Sequence, residues 1–368
     1  MANQNQYFPQ TVSHPGETLE EKLEEMNMGP KEFAVRTAKP EKTIIAIIKG
    51  DSSITADMAV QFESVTKIPA HFWMNNQRAY DEFVARSKRE EMLAQSVEWA
   101  REFPLSSMIK KGWLVTSSSN IKEKTTALLS FFSISTPEAW ESYYFKQVLK
   151  VEFRISLKNT KAPHAISAWL RKGELQAAEM EAPAYSEKTF KEVLPKIKSL
   201  MATQPSDFFG QLQTLCLEAG VKVVFTPCLP KAPINGSTRW LNDTPLIQLT
   251  DRYKRNDVFW FTFFHEAGHI LLHGKKEIFL ENIDYPDKLT KKEDEADDFA
   301  VKWTFSVEEE KEVMEAESLD IDMIRSFAEK FNTHPAIIIG RFQHKELLHY
   351  SEGRELIVPI KIEHEIEN

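Results

Sequence analysis

The chain has 368 residues, 42% hydrophobic and 11% aromatic, enough for two or three packed domains and too apolar for wholesale disorder. Its formal net charge of -9 excludes a protein whose main work is coating nucleic acid, while leaving room for a local DNA-binding module. Two cysteines, Cys216 and Cys228, form no C-x-x-C pair and cannot staple a chain of this size, which fits a reducing compartment. The first residues are polar and lack the build of a signal peptide, and no apolar run approaches the roughly 20 residues a bilayer span needs. The expectation is a soluble, cytoplasmic protein without membrane association.

Residues 1–80 make the first zone. From His14 to Tyr80, short helical patterns alternate with turn residues. Leu19, Leu23 and Met26 recur at helical spacing behind Pro15-Gly16, and Phe33-Ala34 begin a second pattern. Pro40 sits where a third helix starts, and Gly50 sits where it stops. Thr55 to Thr66 predicts a fourth, with Met58, Phe62 and Val65 on one face, and Pro69 opens a fifth containing Phe72, Trp73 and Tyr80.

Residues 81–205 read as a helical connector. Helices are expected over Glu138–Tyr144, Arg154–Lys172 and Ser186–Met201, and a polar loop over Ser117–Thr125. No catalytic constellation stands out here, and the aromatic stripes read as core.

Residues 206–368 differ. Val221–Thr226 and Leu246–Thr250 are strand patterns rich in branched residues. A long apolar helix is expected from Val258 to His273, ended by Gly274, then helices over Lys291–Phe305, Met323–Phe331 and Pro335–His349. Short strands followed by helices indicate an α+β domain within a mainly α chain.

The chemistry lies on the apolar helix. His265 and His269 are four apart, so their imidazoles project from one face and can offer two nitrogens to a zinc ion at about 2 Å. Glu266, next to the first ligand, is placed to take a proton from the attacking water and return it to a leaving amine. A catalytic zinc needs a third protein ligand, and Glu293-Asp-Glu-Ala-Asp-Asp-Phe-Ala300 offers several carboxylates. Glu293 is favoured because Asp297 lies one turn later on the same face, where it can hold a ligand histidine's far N–H. Glu295 is the rival. Ala296 and Ala300 allow close approach to the first helix, and Gly268 leaves room beside the site. His273 extends the histidine series and reads either as a metal or substrate contact or as a histidine favoured by the helix dipole. His334, His344, His349, Arg239 and Tyr253 are further candidates for stabilising an oxyanion, with structural roles as the blander alternative.

The run Phe259–His273, with Arg239-Trp-Leu and Leu246-Ile-Gln-Leu-Thr before it and Glu293-x-x-Ala-Asp-x-Phe-Ala300 after it, resembles the ImmA/IrrE family of zinc metallopeptidases over about Ser206 to Tyr350. The resemblance implies a zincin-like fold, zinc on His265, His269 and Glu293, Glu266 as catalytic base, and cleavage of a repressor-type regulator. His14-Pro-Gly-Glu-Thr-Leu19, Gly50 and Ile68-Pro-Ala-His-Phe-Trp73 are similar to the lambda-repressor-like helix-turn-helix domain of HigA-type antitoxins of the XRE class.

One departure from that domain matters. Where its turn normally holds Gly and its third helix small polar or basic residues, this chain has Ala38, Pro40, Glu41 and Ile45, leaving Lys39, Lys42 and Lys49 as DNA-binding candidates. His14 to Tyr80 holds eight basic and ten acidic residues, the wrong balance for a phosphate-tracking surface. Ile44, Ile45, Ile47 and Ile48 make an apolar face suited to homodimerisation or partner docking. The reading is therefore a bacterial regulator, a zinc metallopeptidase that cleaves a partner regulator or toxin. The alternative is an antitoxin-like DNA-binding regulator whose zinc domain senses without cutting.

Overall fold

The computed structural model describes residues 11–116, 119–144, 162–230, 232, 234–274, 279–280, 287–316 and 319–362. The chain divides into two compact units that meet in sequence at Gln95 and Ser96.

The first unit is all helical: α1 (Pro15–Glu25), α2 (Pro30–Arg36), α3 (Glu41–Ile48), α4 (Ala56–Thr66) and α5 (Ala70–Gln95). Leu19, Leu23, Phe33, Ile44, Ile47, Phe62 and Trp73 supply its core. The rings of Phe33 and Phe62 lie 4.9 Å apart, and those of Phe62 and Trp73 5.9 Å apart. His14 caps α1 by accepting the Gly16 N–H at Nδ1, 3.0 Å away. Gly16 is required there, because a β-carbon would lie 1.8 Å from the Ile47 carbonyl oxygen at the end of α3. Gly50 follows α3 with φ +77°, the left-handed stop its position predicted. Helix α5 continues well past Tyr80, the expected domain end, because Glu82–Arg86 and the polar residues beyond keep helical geometry to Gln95.

The second unit begins with α6 (Val97–Arg101), α7 (Leu105–Lys110), α8 (Ile121–Phe132), α9 (Pro137–Tyr144), α10 (Pro163–Ala178), α11 (Glu187–Thr203) and α12 (Phe208–Glu218). Strands β1 (Lys222–Phe225), β2 (Gly236–Leu241) and β3 (Thr244–Leu249) lead to α13 (Asn256–His273) and β4 (Phe279–Leu280). Helices α14 (Asp287–Thr304), α15 (Val307–Met314), α16 (Ile321–Lys330) and α17 (Pro335–His344) complete it. The whole is mainly α, with a small α+β element in the second unit.

Two local expectations differ from what forms. The loop expected over Ser117–Thr125 is helix from Ile121 onward, because Asn120 accepts the Lys122 N–H at 2.9 Å and caps α8; residues 117 and 118 lie outside the described residues. The helix expected over Arg154–Lys172 is described only from Pro163, which suits a first turn, and it runs on to Ala178; residues 154–161 lie outside the described residues.

The sheet runs β1-β3-β2-β4, with β1 parallel to β3 and the other neighbours antiparallel. Strands β2 and β3 form a hairpin closed at Leu241↔Thr244, with Asn242 at φ +56° in the turn. Successive residues of β2 face opposite ways. Thr238 Oγ1 donates to the Glu266 carbonyl oxygen of α13 at 2.9 Å, whereas Arg239 Nη2 donates to the Leu170 carbonyl oxygen of α10 at 2.6 Å. The sheet thus lies between α13 on one face and α10 on the other. Gln248 ties the second face down, donating to the Trp169 carbonyl oxygen at 2.7 Å and to Thr226 Oγ1 at 2.9 Å. Helix α10, from the expected connector, therefore packs as part of the same unit as the histidine helix.

Candidate metal centre

Helix α13 is apolar nearly all round, with Phe259, Trp260, Phe263, Phe264, Ala267 and Ile270 buried, so it runs through the core rather than along the surface. Burial of His265, Glu266 and His269 follows from their place on it; each is at most 2% exposed. The helix ends at His273, and Gly274 at φ +70° turns the chain away.

Helix α14 lies against α13 through small residues. Ala296 and Ala300 are fully buried, as expected for close approach. Gly268 is open for α14 itself: a β-carbon there would sit 3.2 Å from the Phe299 side chain. The stacked rings of Phe264 and Trp303, 6.0 Å apart, extend the same contact.

This packing brings His265, His269 and Glu293 together, their ligand atoms all within 4.8 Å of one another. His265 Nε2 and His269 Nε2 are 3.0 Å apart, and Glu293 Oε2 lies 3.2 Å from the first and 3.6 Å from the second. Bonds of about 2.05 Å at tetrahedral angles put ligand atoms about 3.3 Å apart, so the spacing suits one small cation.

The outer hydrogen bonds say which protons are where. Asp297 Oδ1 accepts from His265 Nδ1 at 2.8 Å, and Glu295 Oε2 accepts from His273 Nε2 at 3.0 Å. A neutral imidazole that donates at one nitrogen accepts at the other. His273 Nδ1 therefore accepts from His269 Nδ1, 2.9 Å away. Both inner Nε2 atoms then point lone pairs at the Glu293 carboxylate, and Glu293 Oε1 is buried without a hydrogen-bond partner. Two imidazole nitrogens and a carboxylate brought together in this way suit a divalent cation.

Desolvation lowers His269 to about 4 despite the nearby Glu293, so it is neutral at physiological pH. Glu295 lies outside the cluster: His273 takes its carboxylate and lowers its pKa.

The remaining sequence candidates are dispersed. Arg239 is buried on the α10 face of the sheet, on the side away from Glu266, because the strand alternates. His334 caps α17 through the Ala336 N–H at 3.1 Å, while His344 and His349 are exposed, the latter bonded to Ser351 at 2.7 Å. Tyr253, half exposed, lines a small cleft with Arg252 and Thr262, and Thr262 is one turn before Glu266. In the first unit Lys39 is bound to Asp57 at 2.5 Å, whereas Lys42 and Lys49 are exposed. Ile44 and Ile47 are buried and Ile45 and Ile48 half buried, so most of the isoleucine face serves the core. Gly236 was missed altogether. It faces Thr262 and Glu266 across the sheet–helix contact, and only the pairing of β2 with β3 exposes that role.

A comparison with curated proteins found no match. Among solved structures, a HigA-family addiction-module antidote protein from Coxiella burnetii is 34% identical, over 23% of this chain and 91% of that one, with a TM-score of 0.21. The Pseudomonas aeruginosa antitoxin HigA, solved with the higBA promoter, is 30% identical over 22% and 89%, with a TM-score of 0.22. Another Pseudomonas aeruginosa protein, solved with its operator DNA, is 32% identical over 21% and 85%, with a TM-score of 0.21. These HigA-type neighbours cover the N-terminal part of the chain. Residues 216–338, which carry His265, Glu266, His269 and Glu293, match the model of the Peptidase_M78 family, the IrrE N-terminal-like domain.

Proposed function

We propose that the second unit is a zinc endopeptidase domain acting on a partner protein, a regulator or a toxin. The observation that carries this is the convergence of two imidazole nitrogens and one carboxylate, with the buried Glu266 next to His265 in sequence. His265, His269 and Glu293 would hold zinc, which would supply a Lewis acid for the scissile carbonyl. Glu266 follows His265 directly in sequence and shares its buried surroundings, so it works as the base that takes the proton of the attacking water. It then returns that proton to the departing amine nitrogen. Asp297 holds His265 in the tautomer whose Nε2 lone pair faces inward. The apolar packing around α13 lowers the local dielectric and strengthens each of these interactions.

The test is incubation of wild-type and Glu266→Gln protein with host lysate and neighbouring-gene products, with and without a chelator. A cleaved product formed by wild type alone and abolished by the chelator is expected. Equal cleavage by both proteins would remove Glu266 from its role.

A second role, operator binding by the first unit, is supported by Lys42 and Lys49 standing exposed at either end of α3. In a gel-shift at low salt on DNA upstream of the protein's own gene, the double Lys→Gln variant should bind more weakly. Absence of any retarded band with wild type rejects it.

A further inference from the structure

We infer that His273 is a positioning residue for the metal: with Glu295 behind it, it holds His269 as the second ligand. The inference rests on the zinc reading of the cluster and goes beyond it to an outer support for the ligand set. His265, His269 and His273 are spaced four apart on α13, so one helix face carries three imidazoles in a row. The first two meet at their Nε2 atoms. The third turns its Nδ1 to His269 Nδ1 at 2.9 Å and its Nε2 to Glu295 Oε2 at 3.0 Å.

The direction of this chain is fixed at its far end. A carboxylate only accepts, so His273 Nε2 carries the proton and its Nδ1 carries a lone pair. His269 Nδ1 must then be the donor, which turns the His269 Nε2 lone pair toward His265 Nε2 and Glu293. The ring of His269 is held about its χ2 axis by the same bond. His265 receives equivalent support from Asp297 by a direct carboxylate contact. Helix α14 thus supplies Glu293 to the cluster itself and Asp297 and Glu295 to the outer nitrogens, the last through an intervening imidazole. His273 is nearly enclosed, its side chain 3% exposed, so its ring is committed to this geometry rather than to solvent.

Zinc affinity, measured by competition with a chromophoric chelator on the full chain, tests this without reference to cleavage. Four variants are compared: His265→Ala, His273→Ala, His273→Asn and Glu295→Ala, with circular dichroism to monitor folding. Asn places its Oδ1 where the imidazole Nδ1 lies, so it keeps the acceptor for His269 while removing the ring. His273→Ala should weaken zinc about 10- to 100-fold, His273→Asn should recover to within about threefold of wild type, and Glu295→Ala should fall between. Wild-type affinity in His273→Ala overturns the inference, as does an Asn variant as weak as Ala with its fold intact. If wild type binds no zinc, or His265→Ala binds it equally well, the zinc reading fails first and takes this inference with it. If only the His273 variants are silent, the zinc reading stands and the positioning role falls.

Discussion

Gly236 of β2 lies so close to Glu266 of α13 that a β-carbon on it would fall 2.8 Å from Glu266 Oε1 and 2.5 Å from Thr262 Cγ2. Glu266 is held by its backbone to the neighbouring Thr238, so the helix cannot simply retreat from the strand. Gly236→Ala should therefore displace the Glu266 carboxylate. A shift of under an ångström at a proton-transferring group lowers turnover about 10- to 100-fold. Zinc content should not change, because Glu266 is not among the converging ligand atoms. Parallel metal analysis and cleavage assays check this; loss of both together would place Gly236 in folding rather than in catalysis.

Asp297 contacts His265 at 2.8 Å while its own side chain is 56% exposed. Asp297→Ala should weaken zinc binding about tenfold with little change in stability of the metal-free protein, since an exposed carboxylate contributes little to folding. Asp297→Asn keeps an acceptor oxygen and should lose less. Chelator competition and thermal unfolding of the metal-free proteins give the two numbers.

Gln248 joins the sheet to α10 through the Trp169 carbonyl, Thr226 and the buried Arg239 guanidinium. Gln248→Leu fills similar space but leaves buried polar partners unsatisfied, and should destabilise the second unit by about 2–4 kcal/mol. Urea unfolding of the full chain measures it. A midpoint unchanged from wild type would mean that apolar packing alone keeps α10 on the sheet.

Ala38 occupies the turn between α2 and α3 at φ +51°, a left-handed conformation that costs a residue with a β-carbon about 1 kcal/mol. Ala38→Gly relieves it at some expense in unfolded-chain entropy, for a net gain of up to about 1 kcal/mol in the first unit. Hydrogen exchange of the α2 and α3 amides should slow accordingly, and faster exchange would contradict the strain.

Burial lowers the pKa of His14, with Asp81 and Glu17 offsetting part of the effect. The folded imidazole stays neutral, capping α1 through its Nδ1 lone pair, while the unfolded one takes a proton as pH falls through about 6.5. The first unit should therefore be fully stable above that pH and lose stability below it, down to the lowered folded value. His14→Asn retains a capping oxygen without the titration and should flatten the dependence. Urea-dependent exchange of α1 amides at pH 7.5 and 5.5, corrected for intrinsic rates, makes the comparison.

Features legible in the chain itself were local ones. The four-residue spacing of His265 and His269, the apolar periodicity of α13 and the stop at Gly50 depend on a few neighbouring positions, and helix geometry turns that spacing into a shared face. The polar sequence of β2 concealed a strand buried from Gly236 to Trp240, with Ser237, Thr238 and Arg239 inside it.

Glu293 and Glu295 were both candidates by composition, and two positions on one helix differ mainly in direction. The approach of α14 to α13, set by Gly268 against Phe299, directs Glu293 to the imidazole pair and Glu295 to His273. Spacing along one helix was enough to make two histidines and a glutamate neighbours. Which carboxylate meets them, which glycine gives Glu266 its room, and which face of the sheet takes Arg239 were decided by packing between elements remote in sequence, because a side chain's partner depends on an interhelical geometry that no local pattern encodes.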